Sequence, residues 1–313
     1  MKTRHPWLRR VARIAFYLFL VVVAVLLVRY ARSIEWDQVQ AALRAYDRGT
    51  VLLAAGLTLA SYAVYACYDL GARRYAHHHL STHRVVFIAF VSYTFALNIG
   101  ALVGGAGFRY RLYSRSGLAM GAISRIVAFS VSANWIGYTA LAGGLFLLHP
   151  PQPPPGWEIG VSGLRVVGSV MLLAVAGYLV ACHATHGRVF HVRGHHFRLP
   201  SPALAVLQVV LAATNWALMA ALLHVLMPDA LSYPTVLGVL LLASVATAMA
   251  HIPAGIGVLE AVFIALLGHV VPQPELLAGL LAYRAFYYLA PLLLAVAAYL
   301  AFEARGKRAA PAS

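Results

Sequence analysis

One acidic residue near the C-terminal end of the chain lies in an apolar segment, directly after a break in the backbone pattern. Glu260 is identified as the one acidic residue deep in such a segment, and the break before it contains Pro253, Gly255 and Gly257. A proline and two glycines stop a helix at that depth. Within a bilayer, free backbone groups are tolerated only where protein or a wet cavity covers them. A break beside a carboxylate therefore indicates a functional site.

The position of Glu260 allows two interpretations. The residue lies in the first turn of the helix that follows the break, where the positive helix end favours an ionised carboxylate and burial disfavours it. The functional interpretation is a proton or cation coupling site, or a counter-charge for a substrate amine. The structural alternative is a helix-start carboxylate that pairs with an arginine.

Arg284 is a basic residue inside the last apolar run, roughly 12 Å along a helix from the start of that run. An unpaired arginine inside a membrane helix costs about 2.5–3.5 kcal/mol. Its planar fork suits a lipid phosphate or the carboxylate of Glu260, and Tyr283 and Tyr287 could add hydroxyl groups around it. The structural alternatives are an ion pair with Glu260 or a side chain that reaches the membrane surface.

A second candidate break begins at Asn98 and precedes Arg109. Four glycines make a break plausible there; they are Gly100, Gly104, Gly105 and Gly107. Asn98 and Arg109 are therefore candidates to contact a substrate, and Arg109 could meet a lipid phosphate. The alternative for Arg109 is the ordinary excess of positive charge beside a membrane helix.

The composition predicts the elements that must position these residues. The chain has 313 residues, of which 62% are hydrophobic and 11% charged, which is typical of one polytopic all-α membrane domain over residues 1–313 and excludes a soluble domain. Its net charge of +15 comes from basic residues beside apolar runs, which favours contact with membrane lipids rather than nucleic acid. Neither the cysteines nor the histidines have metal-ligand spacing, so no metal or other cofactor is predicted.

Apolar runs of spanning length divide the chain. The predicted membrane segments are Ile14–Val28, Val51–Tyr68, Val85–Val103, Ile126–Leu148, Val166–Cys182, Leu204–Leu226, Thr235–Met249, Val258–Val271 and Leu276–Phe302. Residues 29–50 have the pattern of an amphipathic helix on the membrane surface. Residues 1–13 and 303–313 are basic and are expected in the cytoplasm, which puts both termini inside.

The distribution of basic residues favours two segments that enter the membrane and turn back. If residues 85–107 form such a re-entrant segment, the basic loops Arg73–Arg84, Arg109–Arg125 and Arg188–Arg198 all face the cytoplasm. The second break then enters from the opposite side, as an inverted repeat predicts. The alternative is a kinked spanning helix at Asn98.

Three stretches of this sequence resemble motifs of one known family. Residues 253–260 resemble its Pro-x-Gly-x-Gly-x-x-Glu motif, residues 282–291 resemble the Tyr-Arg motif of its last helix, and residues 98–109 resemble its Asn…Gly…Arg motif. The chain is therefore similar to the lysylphosphatidylglycerol synthase transmembrane-domain (flippase-like) family of bacterial inner-membrane proteins. It departs from the family where Val103 replaces a proline before the glycines.

The resemblance implies that the protein moves a phospholipid, anionic or aminoacylated, between the leaflets of the bacterial inner membrane. The aminoacyl-transferase domain that is fused to some members is absent from this sequence, so synthesis of a lysyl-lipid is not expected. No nucleotide-binding loop, nucleophile elbow or paired-carboxylate site is present, which argues against an enzyme. The alternatives are an integral-membrane glycosyl or lipid transferase and an accessory subunit in envelope-lipid biogenesis.

Overall fold

The computed structural model describes residues 36–150, 160–185, 188, 190–192, 195–250 and 252–308. Within these ranges the protein is an α-helical bundle, which confirms the predicted polytopic all-α fold. Seven helical stretches of the described residues are long and apolar enough to cross a membrane, the last of them being the continuous stretch Gln273–Ala304. The predicted first span Ile14–Val28, the basic residues 1–13 and the tail residues 309–313 lie outside the described residues.

The helices follow the predicted apolar runs. Some extend them by a turn or more, whereas the helices predicted to end at Val103 and Val271 end earlier, at Ile99 and Leu267. Their bounds are α1 Trp36–Arg44, α2 Arg48–Ala76, α3 Thr82–Ile99, α4 Phe108–Arg115, α5 Met120–Leu148, α6 Val161–Ala184, α7 Pro202–Val225, α8 Tyr233–Ala250, α9 Val258–Leu267, α10 Gln273–Arg284 and α11 Ala290–Arg308. Three short elements join them: π-helical segments at Ala101–Gly107 and Ala285–Leu289, and a 3₁₀ turn at Pro253–Gly255. Between α6 and α7, strands β1 (Phe190–Val192) and β2 (His195–Phe197) pair antiparallel.

The segment predicted to lie on the membrane surface, residues 29–50, contains two elements in the structure. Its described part starts with α1, which packs against α10, and its last three residues already begin α2. Asp47 caps α2 by accepting a hydrogen bond from the backbone N–H of Thr50, at 2.8 Å. Tyr46 donates a hydrogen bond to the carbonyl of Leu226, at 2.6 Å, and so ties α1 to the end of α7. Attachment of α1 to a membrane surface stays a prediction.

The first hairpin, defined as α3, the segment Ala101–Gly107 and α4, reverses the chain direction. The reversal begins at Gly100, whose φ of 100° favours glycine. After it the chain returns beside α3, where the ring of Phe108 stacks on that of Phe95 with 4.1 Å between centroids. The return is so close that a Cβ on Gly104 would lie 2.0 Å from the carbonyl oxygen of Phe95. The structure thus has a helical hairpin rather than a kinked helix at Asn98.

The second hairpin, defined as α8, the turn Pro253–Gly255 and α9, reverses the chain in the same manner. Three residues at the turn have left-handed backbone: Ala254 (φ 56°), Gly255 (φ 57°) and Gly257 (φ 83°). A Cβ on Gly255 would lie 2.5 Å from Cγ2 of Thr247, so the turn packs tightly against α8. Glycine is required at this position for both its conformation and its small size.

The two hairpins enter the bundle from opposite ends. At the end called here the basic end, where α2, α4 and α6 finish, Arg125 donates to the carbonyl of Ala76 at 3.3 Å and Tyr75 donates to that of Arg198 at 2.6 Å. Helix α3 starts at this end, whereas α7 runs away from it and α8 starts at the other. The three basic loops therefore lie at one end of the bundle. Its cytoplasmic location, membrane re-entry and an inverted repeat stay predictions.

The hairpin tips meet between the two ends. The end of α3 contacts the turn Pro253–Gly255, and the Asn98 amide donates to the carbonyl of Tyr288 at 3.4 Å. A core rich in tyrosine, supplied by α2, α3 and α10, surrounds this meeting point. Around it, Leu102 and Val103 at the first tip are largely exposed, as apolar side chains are when lipid surrounds them.

Candidate functional site

Glu260 and Arg284 form an ion pair beside the second break. Nε of Arg284 donates to Oε1 of Glu260 at 2.5 Å, and Nη2 donates to Oε2 at 3.1 Å, so the guanidinium engages both carboxylate oxygens. Oε2 also accepts the backbone N–H of Gly257 at 2.9 Å, which is the capping arrangement of a helix start. The structural alternative raised by the sequence, a pair between these residues, is therefore what the structure shows.

The same guanidinium holds the backbone of the break. Arg284 donates to the carbonyls of Ala254 at 3.1 Å and Gly255 at 3.2 Å. Ala254 is one of two non-glycine residues with positive φ in the described chain, and such residues cost about 1–3 kcal/mol. One arginine thus stabilises a strained turn and neutralises a carboxylate, while its guanidinium carbon lies 5.5 Å from the centroid of the Tyr288 ring.

Arg109 lies in a separate cluster, where its partner is Asp69. Its Nη2 donates to Oδ1 of Asp69 at 2.8 Å, and Nε donates to Oδ2 at 3.1 Å. The same carboxylate accepts the hydroxyls of Tyr113 and Ser130, each at 3.0 Å. The identification of Glu260 as the one acidic residue deep in an apolar segment was therefore wrong, because Asp69 lies within the long apolar helix α2 and has no exposed surface.

A signal for Asp69 was present in the sequence. Tyr62, Tyr65 and Asp69 recur at helical spacing along one face of α2, directly at the end of the predicted run Val51–Tyr68. A carboxylate in register with tyrosines on an apolar helix indicates a buried polar face. Its partner could not be identified in the same way, because Arg109 is on another helix and reaches Asp69 only after the chain reverses at Gly100.

Tyrosines link the two charged clusters. Tyr65 donates no bond to Asp69 but accepts one from Arg109 at 3.3 Å, and its ring stacks on that of Tyr93 with centroids 3.5 Å apart. The hydroxyls of Tyr93 and Tyr287 share a hydrogen bond at 2.7 Å. The Tyr287 ring stacks on the ring of Tyr283 with centroids 5.4 Å apart. Tyr283 directly precedes Arg284 in the sequence, so this series of tyrosines connects the two clusters.

The predicted roles of the two tyrosines in the last helix need revision. The hydroxyl of Tyr287 bonds Ser61 and Tyr93, each at 2.7 Å, and so points towards α2 and α3 rather than towards Arg284. Tyr283 is fully buried beneath it. Of the aromatic side chains near the ion pair, Tyr288 places its ring against the guanidinium.

Pro291 explains the irregular helix that follows Arg284. A proline has no N–H to offer the carbonyl four residues earlier, which here belongs to Tyr287. That carbonyl instead accepts the hydroxyl of Tyr62 at 3.0 Å, and the neighbouring carbonyl of Tyr288 accepts Asn98. The π-helical turn Ala285–Leu289 is thereby tied to α2 and to the first hairpin.

The two clusters have the same arrangement of helices, but the positions of the cation and the anion are exchanged. In the first hairpin the return helix α4 carries the cation, Arg109, at its second residue, and α2 carries the anion. In the second hairpin the return helix α9 carries the anion, Glu260, at its third residue, and α10 carries the cation. They differ in exposure: the side chains of Asp69 and Arg109 are 0% and 5% exposed, against 10% and 13% for Glu260 and Arg284.

This difference decides what each cluster can do chemically. The Asp69–Arg109 pair is buried, and its carboxylate accepts hydrogen bonds from Arg109, Tyr113 and Ser130, so it suits a structural role. Contact of Arg109 with a lipid phosphate stays a prediction. The Glu260–Arg284 pair borders the broken backbone and keeps some exposure. An arginine fork, a carboxylate and two carbonyl oxygens at one place can bind a phosphate and an ammonium group together.

Comparison with known proteins identifies relatives over nearly the whole chain. Residues 11–295 match the model of the family described as lysylphosphatidylglycerol synthase TM region. The chain is 42% identical over 309 residues to a protein of Escherichia coli named inner membrane protein YbhN, covering 98% of this chain and 97% of the relative. It is 31% identical over 262 residues to the uncharacterized protein slr0712 of Synechocystis, covering 82% and 80% of the two chains.

These matches cover both hairpins and both charged clusters, and they agree with the seven spanning-length helices of the bundle. They confirm the location predicted from the sequence, a multi-pass protein of the inner membrane. The chain therefore belongs to the family of the lysylphosphatidylglycerol synthase transmembrane region.

Proposed function

We propose that the protein moves the headgroup of a phospholipid between the two leaflets of the inner membrane. The observation that carries this proposal is the ion pair of Glu260 and Arg284 at the meeting point of two hairpins that enter from opposite ends. Such a point lies between the two ends of the bundle, and a polar group held there has left one surface without reaching the other. Membership of a family named for a lipid-modifying enzyme supports a lipid as the substrate.

The chemistry of the pair suits a headgroup that carries phosphate and amine. A phosphate binds the planar fork of Arg284 through two parallel hydrogen bonds, as a carboxylate does. Glu260 then loses its partner and accepts an ammonium group, together with the carbonyls of Ala254 and Gly255 that Arg284 releases. Ions exchange partners without leaving a buried charge unpaired, which is what keeps the crossing energetically accessible.

The exposed apolar tips fit the rest of the lipid. Leu102, Val103 and Ile256 lie on the surface beside the meeting point, where they can contact acyl chains while the headgroup enters. The tight packing of each return helix on its hairpin keeps the broken backbone covered. In this mechanism the headgroup travels through the protein, and the acyl chains remain in the membrane.

The first prediction concerns the double variant Glu260→Gln/Arg284→Gln. We expect it to fold, because two amides can replace the ion pair by hydrogen bonds and no charge is left buried alone. We also expect it to lose headgroup exchange, because neither charge of the substrate retains a partner. The measurement uses proteoliposomes that contain phosphatidylethanolamine and phosphatidylglycerol with fluorescent acyl chains, and follows the fraction of each lipid that an impermeant quencher reaches.

Arg165→Gln is the matched control, because Arg165 is an exposed residue of α6 without an ion pair among the described residues. It should exchange lipid at the parental rate. Normal exchange by the folded double variant would remove the pair from the mechanism. Exchange by neither the parent nor the control would contradict the proposal itself, and covalent turnover of a labelled lipid would favour the transferase alternative.

A further inference from the structure

A second candidate site lies at the basic end, away from the hairpin tips. Here the end of α2 and the start of α7 enclose a cavity of ≈ 520 Å³, within the usual size of ligand sites. Its polar wall includes Arg74, His77 and Arg198, and its apolar wall includes Ala203, Leu204 and Leu207. A neighbouring cavity of ≈ 540 Å³ shares Arg74 and His77 with it.

The walls of this cavity are held in place by the backbone. Tyr75 of α2 donates to the carbonyl of Arg198 at 2.6 Å, which fixes the approach of the chain to α7. Helix α2 ends at Ala76, and His77 follows as its cap: its left-handed φ of 55° turns the chain, and its N–H donates to the carbonyls of Arg73 and Arg74. Leu207 packs closely enough that a Cβ on Gly71 would lie 3.6 Å from its Cδ2 atom.

Arg74, the arginine that α2 contributes to this cavity, has no acidic partner in the part of the chain that the structure describes. Asp69 and Glu303 are the acidic residues that lie towards this end, and both form ion pairs elsewhere. Asp69 pairs with Arg109, and Glu303 pairs with Arg111 and Arg115. Arg73 donates to the carbonyl of Leu80 at 3.2 Å and to the Thr82 hydroxyl at 3.1 Å. Arg74, by contrast, is exposed and forms no ion pair with any described residue.

His78 lines the neighbouring cavity and adds polar atoms there more than charge. Burial, and next the charge of Arg73, lower the pKa of His78 from its usual value, so this imidazole is largely neutral at pH 7. Arg74 offers a ligand of this cavity a permanent positive charge. Arginines beside leucines at the end of a membrane bundle match a ligand that is anionic at one end and apolar at the other.

We infer that this cavity binds the phosphate of an anionic phospholipid, with Arg74, His77 and Arg198 at the phosphate and an acyl chain along Leu204 and Leu207. The site is separate from the pair of Glu260 and Arg284, and binding there does not require that the protein translocate lipid. The inference therefore stands or falls independently of the proposed function.

The test is a titration of the full-length protein in a non-ionic detergent with short-chain phosphatidylglycerol, short-chain phosphatidylcholine and inorganic phosphate. We expect phosphatidylglycerol to bind more tightly than either of the other two. Arg74→Gln should weaken its binding about tenfold, the effect of losing a charge-assisted hydrogen bond. Arg84→Gln is the matched control, because Arg84 is exposed at the same end but does not line the cavity.

His77→Asn is a second variant that tests the site if Arg74→Gln does not fold, because asparagine tolerates the left-handed conformation of this residue. This variant should also weaken the binding of phosphatidylglycerol. Equal weakening by Arg84→Gln would show a general effect of surface charge and overturn the inference. If inorganic phosphate binds as tightly as phosphatidylglycerol, the proposed contact of an acyl chain with the cavity is wrong. If phosphatidylcholine binds as tightly as phosphatidylglycerol, the proposed selectivity for an anionic lipid is wrong.

Discussion

Asp69 and Arg109 show how a single buried pair fixes a hairpin. Asp69 accepts from Arg109, Tyr113 and Ser130, so three helices meet at one carboxylate: α2, α4 and α5. Among the residues that the structure describes, Asp69 is the acidic residue that pairs with Arg109. Taking either partner away leaves an uncompensated charge in a medium without water, which is far more costly than losing a pair at a surface.

The corresponding prediction is a cycle of Asp69→Asn, Arg109→Gln and the two combined. Each single variant should lose about 3–5 kcal/mol of stability, because one buried charge remains unpaired. The double variant should be more stable than either single one. The measurement is thermal or denaturant unfolding of the purified protein in detergent.

Glu303→Gln is the control for this cycle. Glu303 pairs with Arg111 at 3.0 Å and with Arg115, but both arginine side chains are substantially exposed. Pairs of this kind contribute about 0–1 kcal/mol, so the variant should unfold close to the parent protein. Additive losses in the Asp69 and Arg109 variants would show that the two residues do not stabilise each other.

Among the structural elements, the first hairpin depends on close approach of backbone to backbone. Gly104 lies on the carbonyl of Phe95, and Gly105 lies near the Cβ of Ala96, so the return segment has no room for side chains on this face. The neighbouring atoms at Gly104 belong to the backbone of α3 and cannot rotate away. This packing, together with the φ of Gly100, is the physical reason that the chain reverses instead of continuing as one helix.

Gly104→Ala is therefore expected to open the hairpin. Its Cβ would meet the Phe95 carbonyl oxygen at 2.0 Å, and relief requires α3 and the return segment to separate, at a cost on the order of 3 kcal/mol or more. Thermal unfolding and monodispersity in detergent measure the effect.

Gly56→Ala is the matched control for the hairpin variant. Gly56 is exposed in the interior of α2, and a Cβ there would meet nothing within 4 Å. Alanine should leave the stability unchanged or raise it by up to about 1 kcal/mol, because glycine is the weaker helix former. A Gly104 variant as stable as the Gly56 variant would contradict the close packing.

Most of the elements could be predicted from the sequence, and their partners could not. Apolar runs and glycine or proline breaks report local conformation, so the helix positions and both reversals are visible in the chain. The pair of Glu260 with Arg284 was one of the stated alternatives, because both residues are isolated charges in neighbouring apolar runs. Asp69 was missed because it lies just beyond the end of an apolar run, and the direction of the Tyr287 hydroxyl depends on the π-helical turn after Arg284.

At the scale of the whole molecule, the basic loops lie at one end of the bundle, and the two hairpins enter the bundle from opposite ends. Variants with a single cysteine can test this arrangement after Cys67 and Cys182 are replaced. Ser81→Cys and Ala119→Cys flank the first hairpin at exposed positions, and Ala230→Cys lies exposed before the second. An impermeant thiol reagent should label the first two from the same side of the membrane, which we expect to be the cytoplasm, and the third from the other side.

The sidedness of Ala119→Cys decides between the two topologies. A full crossing between Ser81 and Ala119 would place their labels on opposite sides and would contradict the paired hairpins. Detergent-solubilised protein supplies the control, since all three cysteines should react there.

The opposite charges of the two hairpins have an electrical consequence. Each cluster is neutral as a unit, because Arg109 pairs with Asp69 and Arg284 pairs with Glu260. A charge that crosses the whole membrane gains or loses about 2.3 kcal/mol per 100 mV, but a neutral pair does no such work. Neither pair therefore responds to the transmembrane voltage by its net charge. If the protein moves lipid as proposed, the field acts on the net charge of that lipid: an anionic lipid would be driven towards the positive side, and a zwitterionic one would cross at the same rate in either polarity.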